Sequence, residues 1–143
     1  MLYLTLVLAA LSCASAKPMT QAEAPLSSVF LDKVLPLIKK CADESQVPTS
    51  TFNKLLDGIV ENDASLEFMT CYLKGADLID DDGHIKVNNL VVLIKDDGLK
   101  DGVKKAFEHC NESSGKDQKE TVRLMVTCYK ENSPVVFTSN IKK

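Results

Sequence analysis

The chain has 143 residues, 45% of them hydrophobic and 26% charged, with a net charge of −3, which is the size and balance of one globular domain and not of a disordered chain. Acids and bases alternate along it with no basic stripe and no polybasic run, which argues against nucleic acid and against a membrane surface as partners. β-Branched residues cluster in short pieces such as Val91-Val92 and Val135-Val136, with no period-two run between hairpin turns, so the expected class is all-α.

Leu2 to Leu11 is a nearly unbroken apolar run, too short to span a bilayer, followed by Ala14-Ser15-Ala16, the small-x-small pattern that signal peptidase cuts. The expectation is a signal peptide over 1–16 and a secreted, extracellular helical domain over 17–143 whose cysteines meet an oxidising environment. After a polar lead-in, Ser27 or Ser28 can cap a helix with the face Phe30, Val34, Leu37, Ile38 and Cys41, kinked at Pro36. Pro48-Thr49-Ser50 opens a second helix with Phe52, Leu55, Leu56 and Ile59 on one side.

The third helix is the central one. Leu66, Met69, Tyr72 and Leu73 share an arc that Phe68 and Cys71 extend, leaving only Glu67, Thr70 and Lys74 on a wet strip, so it must have neighbours on two sides. Gly75 weakens it before the Asp80-Asp81-Asp82-Gly83 turn, whose acids are expected to favour the next helix N-terminus. Val87, Leu90, Val91 and Ile94 mark a fourth helix that Val92-Leu93 make apolar nearly all round, hence buried, and that Asp96-Asp97-Gly98 should stop. Val103, Phe107 and Cys110 mark a fifth. Val122, Met125, Val126 and Tyr129 mark a sixth, capped by Asp117 and ended by Pro134, with Val135-Val136-Phe137 in a short apolar tail.

Cys13 falls in the leader, leaving Cys41, Cys71, Cys110 and Cys128. Four cysteines allow three pairings, and spacing does not choose among them. No close Cys-x-x-Cys pair exists, and neither His84 nor His109 has metal-ligand spacing to another candidate, so two disulfides are expected and no metal or cofactor. Both histidines are read as exposed structural residues.

The leader, the six helical patterns, the spacings Cys41-x29-Cys71, Cys71-x38-Cys110 and Cys110-x17-Cys128 and the acidic turn together resemble an insect odorant-binding protein of the general and pheromone-binding kind. That family usually has two further cysteines; the corresponding places, four residues before Cys71 and nine before Cys128, hold Glu67 and Lys119. The chain therefore resembles the four-cysteine, minus-C branch. The resemblance implies the pairing Cys41 to Cys71 and Cys110 to Cys128, a compact bundle of about six helices around a hydrophobic cavity, and reversible carriage of odorants, pheromones or similar molecules to a chemosensory receptor by a monomer or weak homodimer. It also sets Glu67 against Lys119, an ion pair where relatives have a covalent bridge.

The remaining motifs add little chemistry. With Gly83 at the sixth position of a calcium loop, the first falls on Leu78 and the twelfth on Asn89, where carboxylates are needed. Asn111-Glu112-Ser113 is an N-glycosylation sequon. No activated nucleophile or Gly-x-Ser-x-Gly is present, and an enzyme is not expected. The amphipathic helices instead offer a surplus of apolar face that suits a small-molecule cavity. Candidate wall residues are Leu56, Met69, Leu73, Leu90, Ile94, Phe107, Val122, Met125 and Val126, with Phe137 of the tail as a lid; about half of the wall candidates are expected to touch ligand. A secreted protein-interaction factor on the same scaffold is the alternative.

Overall fold

A computed structural model describes residues 22–138. The expected leader, Cys13 and the last residues of the tail lie outside that range. Six helices carry the core: α1 (Ser28–Ser45), α2 (Thr51–Leu56), α3 (Asp63–Gly75), α4 (Val87–Val91), α5 (Asp97–Cys110) and α6 (Gln118–Asn132). The fold is all-α, with one small addition. Strand β1 (Ala22–Pro25) pairs in parallel with β2 (Val135–Thr138), Ala22 opposite Val135 and Pro25 opposite Thr138, so the lead-in and the tail close on each other.

Local chemistry explains most helix ends. The Ser27 hydroxyl accepts the Phe30 N–H at 3.1 Å, the Asn62 side chain accepts the Ser65 N–H at 2.9 Å, and Asp117 accepts the Glu120 N–H at 2.8 Å, each relieving an orphan donor of a first turn. α1 stops where Gln46 turns left-handed at φ 56°. α2 is only six residues long and gives way to Asp57 and a left-handed Gly58, which leaves Ile59 outside the helix and 44% exposed rather than on its buried face.

α3 behaves as its pattern requires. Leu66, Phe68, Tyr72 and Leu73 are buried, Met69 and Cys71 half-buried, and α3 touches α1, α2 and α6. A Cβ on Gly75 would come within 2.9 Å of the Leu37 side chain, so this glycine lets α1 and α3 approach closely as well as ending α3. Disulfides join Cys41 to Cys71, stapling α1 to α3, and Cys110 to Cys128, stapling α5 to α6, with Cα separations of 5.7 and 5.6 Å. Closing loops of 30 and 18 residues, they contribute about 3 to 4 kcal/mol each in the chain-entropy account.

The region between α3 and α5 departs from expectation. α4 is five residues long, and Val92, read as part of a buried all-round apolar helix, lies past its end and is 73% exposed. Asp96-Asp97-Gly98 does not stop α4; it starts α5, with Asp96 as N-cap accepting the Gly98 N–H at 2.9 Å and Asp97 in the first turn. Nor do the acids of the Asp80 turn serve the next helix, since the first turn of α4 holds none. The turn is instead closed on itself: Asp80 Oδ1 accepts the N–H groups of Asp82 and His84, both at 2.9 Å. Gln118 Nε2 donates to the Asp80 carbonyl at 3.0 Å, and both polar atoms of the Asn111 amide bond the Ile85 backbone at 2.9 Å. Nearby, the Lys86 ammonium beside Asp77 holds that carboxyl below its ordinary range. A lowered carboxyl pKa adds stability above the unfolded value near 4 and loses it only as pH falls through the folded one, so this pair is indifferent to pH near neutrality.

Gly83 is the most constrained point of the turn. Its φ is +95°, and a Cβ there would lie 2.5 Å from the Gln118 carbonyl oxygen. Gly83→Ala is expected to destabilise the fold by about 1 to 3 kcal/mol in urea titration; an unchanged midpoint would show that the turn is not docked on α6.

Candidate ligand cavity

The helices do not fill the space they enclose. A cavity of about 110 Å³, counted as room for the centre of a water-sized sphere, opens between them, several times the roughly 10–15 Å³ that one water needs on that measure. Its wall is apolar. Leu55 and Leu56 come from α2, Met69, Tyr72 and Leu73 from α3, and Leu90 from α4. Phe107 of α5, Met125 and Val126 of α6, and Val135 and Phe137 of β2 close the other side, while Asp57, Gly58 and Lys130 form a polar part of the lining. The exposure of Asp57 and Lys130 puts that part at the rim.

Eight of the ten residues expected in the wall or lid therefore line the cavity. Ile94 and Val122 do not: at 5% and 0% exposure they are packed core, and Ile94 forms a backbone bridge with Leu26. Phe30, Leu55, Leu78 and Ile85 were not expected in the wall, nor were the two tyrosines, although Phe30, Leu55, Tyr72 and Tyr129 all sat on apolar helix faces.

One end of the cavity is built from stacked rings. Phe107 and Tyr129 stack with centroids 4.3 Å apart, and Phe137 stacks on Tyr129 at 5.8 Å. The Tyr129 hydroxyl donates to the Val135 carbonyl at 3.0 Å, and the buried Ser133 hydroxyl donates to that same carbonyl at 2.9 Å while accepting the Val135 N–H. Burial pushes the Tyr129 phenol up, so it stays a neutral donor. These bonds fix the base of the tail where it turns from α6 into β2.

Glu67 and Lys119 also meet. Lys119 Nζ lies 3.5 Å from Glu67 Oε1, and one turn away Arg123 Nη2 donates to Asp63 Oδ1 at 2.7 Å. Asp63 and Glu67 are four apart on α3, as are Lys119 and Arg123 on α6, so the pairs form two rungs across antiparallel helices. Both rungs are partly exposed.

A family model described as the PBP/GOBP family matches residues 23–132, a span that includes all six helices. The chain belongs to the PBP/GOBP family. Its members are non-enzymatic binding proteins with a small-ligand carrier role, secreted and extracellular. Among solved structures this PBP/GOBP chain is similar to the odorant binding protein lmigOBP1 of Locusta migratoria, with 18% identity and a TM-score of 0.61 over 77% of this chain and 86% of that one. It is also similar to Odorant Binding Protein 7 from Anopheles gambiae, a protein with four disulfide bridges in complex with an azo compound, with 25% identity and a TM-score of 0.58 over 72% of this chain and 85% of that one. No curated protein sequence matches the chain. Among the described residues no helix is long and apolar enough to cross a membrane.

Ending the chain at Ser133 removes Val135, which is fully buried, and Phe137 from the wall. Such a truncation is expected to cost about 2 kcal/mol or more of stability and to speed release of a bound apolar probe severalfold in stopped-flow dilution. Unchanged affinity and release would exclude the tail as a lid.

Proposed function

We propose that this chain is a secreted carrier that binds small, mostly apolar molecules such as odorants or pheromones reversibly in the cavity and moves them through extracellular fluid. The observation that carries this reading is the cavity itself, lined mostly by apolar side chains from helices and tail, with Asp57 and Lys130 at its rim. The azo compound held by the Anopheles gambiae relative is a precedent for a small organic ligand in this scaffold. Met69 and Met125 in the lining let the cavity adapt to several shapes. Residues 1–16 serve as the leader, and both polar atoms of the Asn111 amide being in use supports an unmodified sequon. The test is displacement of N-phenylnaphthylamine fluorescence from the purified domain. Medium-sized volatile esters or ketones are expected to displace it at micromolar concentrations; failure of the probe and of a broad volatile panel to bind would remove the carrier reading.

The chain is further proposed to be a four-cysteine, minus-C member in which the Glu67–Lys119 pair stands where relatives have a bridge. The 3.5 Å approach of these side chains supports that register. An exposed ion pair contributes roughly 0 to 1 kcal/mol against about 2 to 4 for a disulfide, so the α3–α6 junction is the looser one. The Glu67→Cys, Lys119→Cys double variant is expected to oxidise readily, raise the melting temperature and narrow the range of bound ligands. Cysteines that stay reduced under oxidising conditions would show that the register is wrong.

A further inference from the structure

Four lining residues of the cavity have side chains able to hydrogen-bond: Asp57, Tyr72, Tyr129 and Lys130. Asp57 and Lys130 sit at the exposed rim, and the Tyr129 hydroxyl already donates to the Val135 carbonyl. Tyr72 differs from all three. It is 3% exposed, it comes from the last turn of α3, and among the described residues its hydroxyl has no hydrogen-bond partner. Among those residues no fully enclosed side-chain oxygen lacks a partner, so the Tyr72 hydroxyl must keep some open surface, and the surface this buried residue faces is the cavity. An unpaired polar group in an apolar wall is destabilising unless something arrives to bond it.

The ring that carries this hydroxyl is also held in place. Phe52 and Phe68, 1% and 0% exposed, meet it edge-on at centroid distances of 5.3 and 5.2 Å. Neither lines the cavity; they back the ring from behind, so the hydroxyl is presented at a fixed point.

We propose that Tyr72 is the polar anchor of the cavity, donating a hydrogen bond to ligands that carry one neutral acceptor oxygen, as in a ketone, aldehyde, ester or alcohol, on an apolar body of about ten heavy atoms. This deepens the carrier reading and rests on it. Burial pushes the phenol above its ordinary value, which keeps the proton on the oxygen and available for donation. A carboxylate is disfavoured at the same point, because the cationic side chain in the described lining, Lys130, lies at the exposed rim together with Asp57. Phe52 and Phe68 act as positioning residues behind the anchor.

Acetophenone and α-methylstyrene test the anchor, since they match in shape and differ in a carbonyl oxygen replaced by a methylene. Competition against N-phenylnaphthylamine is run on the wild-type domain and on Tyr72→Phe, which keeps the ring and its two aromatic contacts. The variant is expected to bind acetophenone about 3- to 10-fold more weakly and α-methylstyrene as well as before, with an unchanged or raised melting temperature because no protein hydrogen bond is lost. The carbonyl stretch of bound acetophenone should lie at lower frequency in the wild type than in the variant. Equal changes for the two ligands, no change for either, or tighter binding of benzoate than of acetophenone would overturn the anchor while leaving the carrier reading intact. Failure of the wild type to bind the naphthylamine probe and both ligands would overturn the carrier reading, and the anchor with it.

Discussion

Burial of α3 from two sides is the constraint on which the other elements depend. One side is locked to α1 by the Cys41–Cys71 bridge and by the close approach that Gly75 permits against Leu37. The other faces α6, which is itself bridged to α5 through Cys110–Cys128. With α3 fixed, Tyr72 and Leu73 can only point into the space between the helices, and the shape of that space follows from what the remaining elements bring to it. The two disulfides that brace the surrounding helices contribute about 3 to 4 kcal/mol each, and the fold can keep a cavity at its centre.

Rigidity is unevenly distributed around the cavity. Phe52 and Phe68 brace Tyr72 on the α2–α3 side, where both phenylalanines are fully buried. Met69 of α3 and Met125 of α6 line the cavity with adaptable side chains, and Val135 and Phe137 belong to a strand of only four residues. A wall that is stiff where its hydroxyl sits and compliant elsewhere suits a carrier that fixes one polar atom of its cargo and tolerates variation in the rest.

Much of this was legible in the sequence because it is local. Spacings of three and four residues mark the buried faces of α1, α3, α5 and α6, and Asp117 is visible as a cap, since helices and caps are specified within one or two turns. The misreadings share a cause. Val91-Val92-Leu93 looks like a buried helix to any periodic reading, but α4 is barely longer than one turn and Val92 lies beyond it. Asp96-Asp97-Gly98 carries the residues of a helix start and of a stop alike, and only the position of α5 decides between them. The pairing of Ala22–Pro25 with Val135–Thr138 joins segments that no local pattern connects. Gly75 reads as a weak helix former, and its role as a point of close approach depends on Leu37, far away in sequence. Tyr72 was visible as part of an apolar arc, but that its hydroxyl lacks a partner among the described residues is a property of the packed molecule.

The ladder between α3 and α6 shows how a local feature can gain meaning from geometry. A single Glu opposite a single Lys on helix surfaces rich in both carries little information. Here two acids spaced by four residues, Asp63 and Glu67, face two bases spaced by four, Lys119 and Arg123, in the antiparallel order that the helices require. A chance contact would not extend to a second rung in register. The Arg123–Asp63 rung is the shorter of the two, and Arg123 is also held by Glu120 at 3.2 Å, which orients its guanidinium towards α3. The junction is thus aligned by charge without being locked, whereas the α1–α3 and α5–α6 junctions are covalent. Because exposed ion pairs yield more readily than disulfides, the α3–α6 junction gives way more easily than the two covalent ones, and Met69 and Met125 lie on those same two helices.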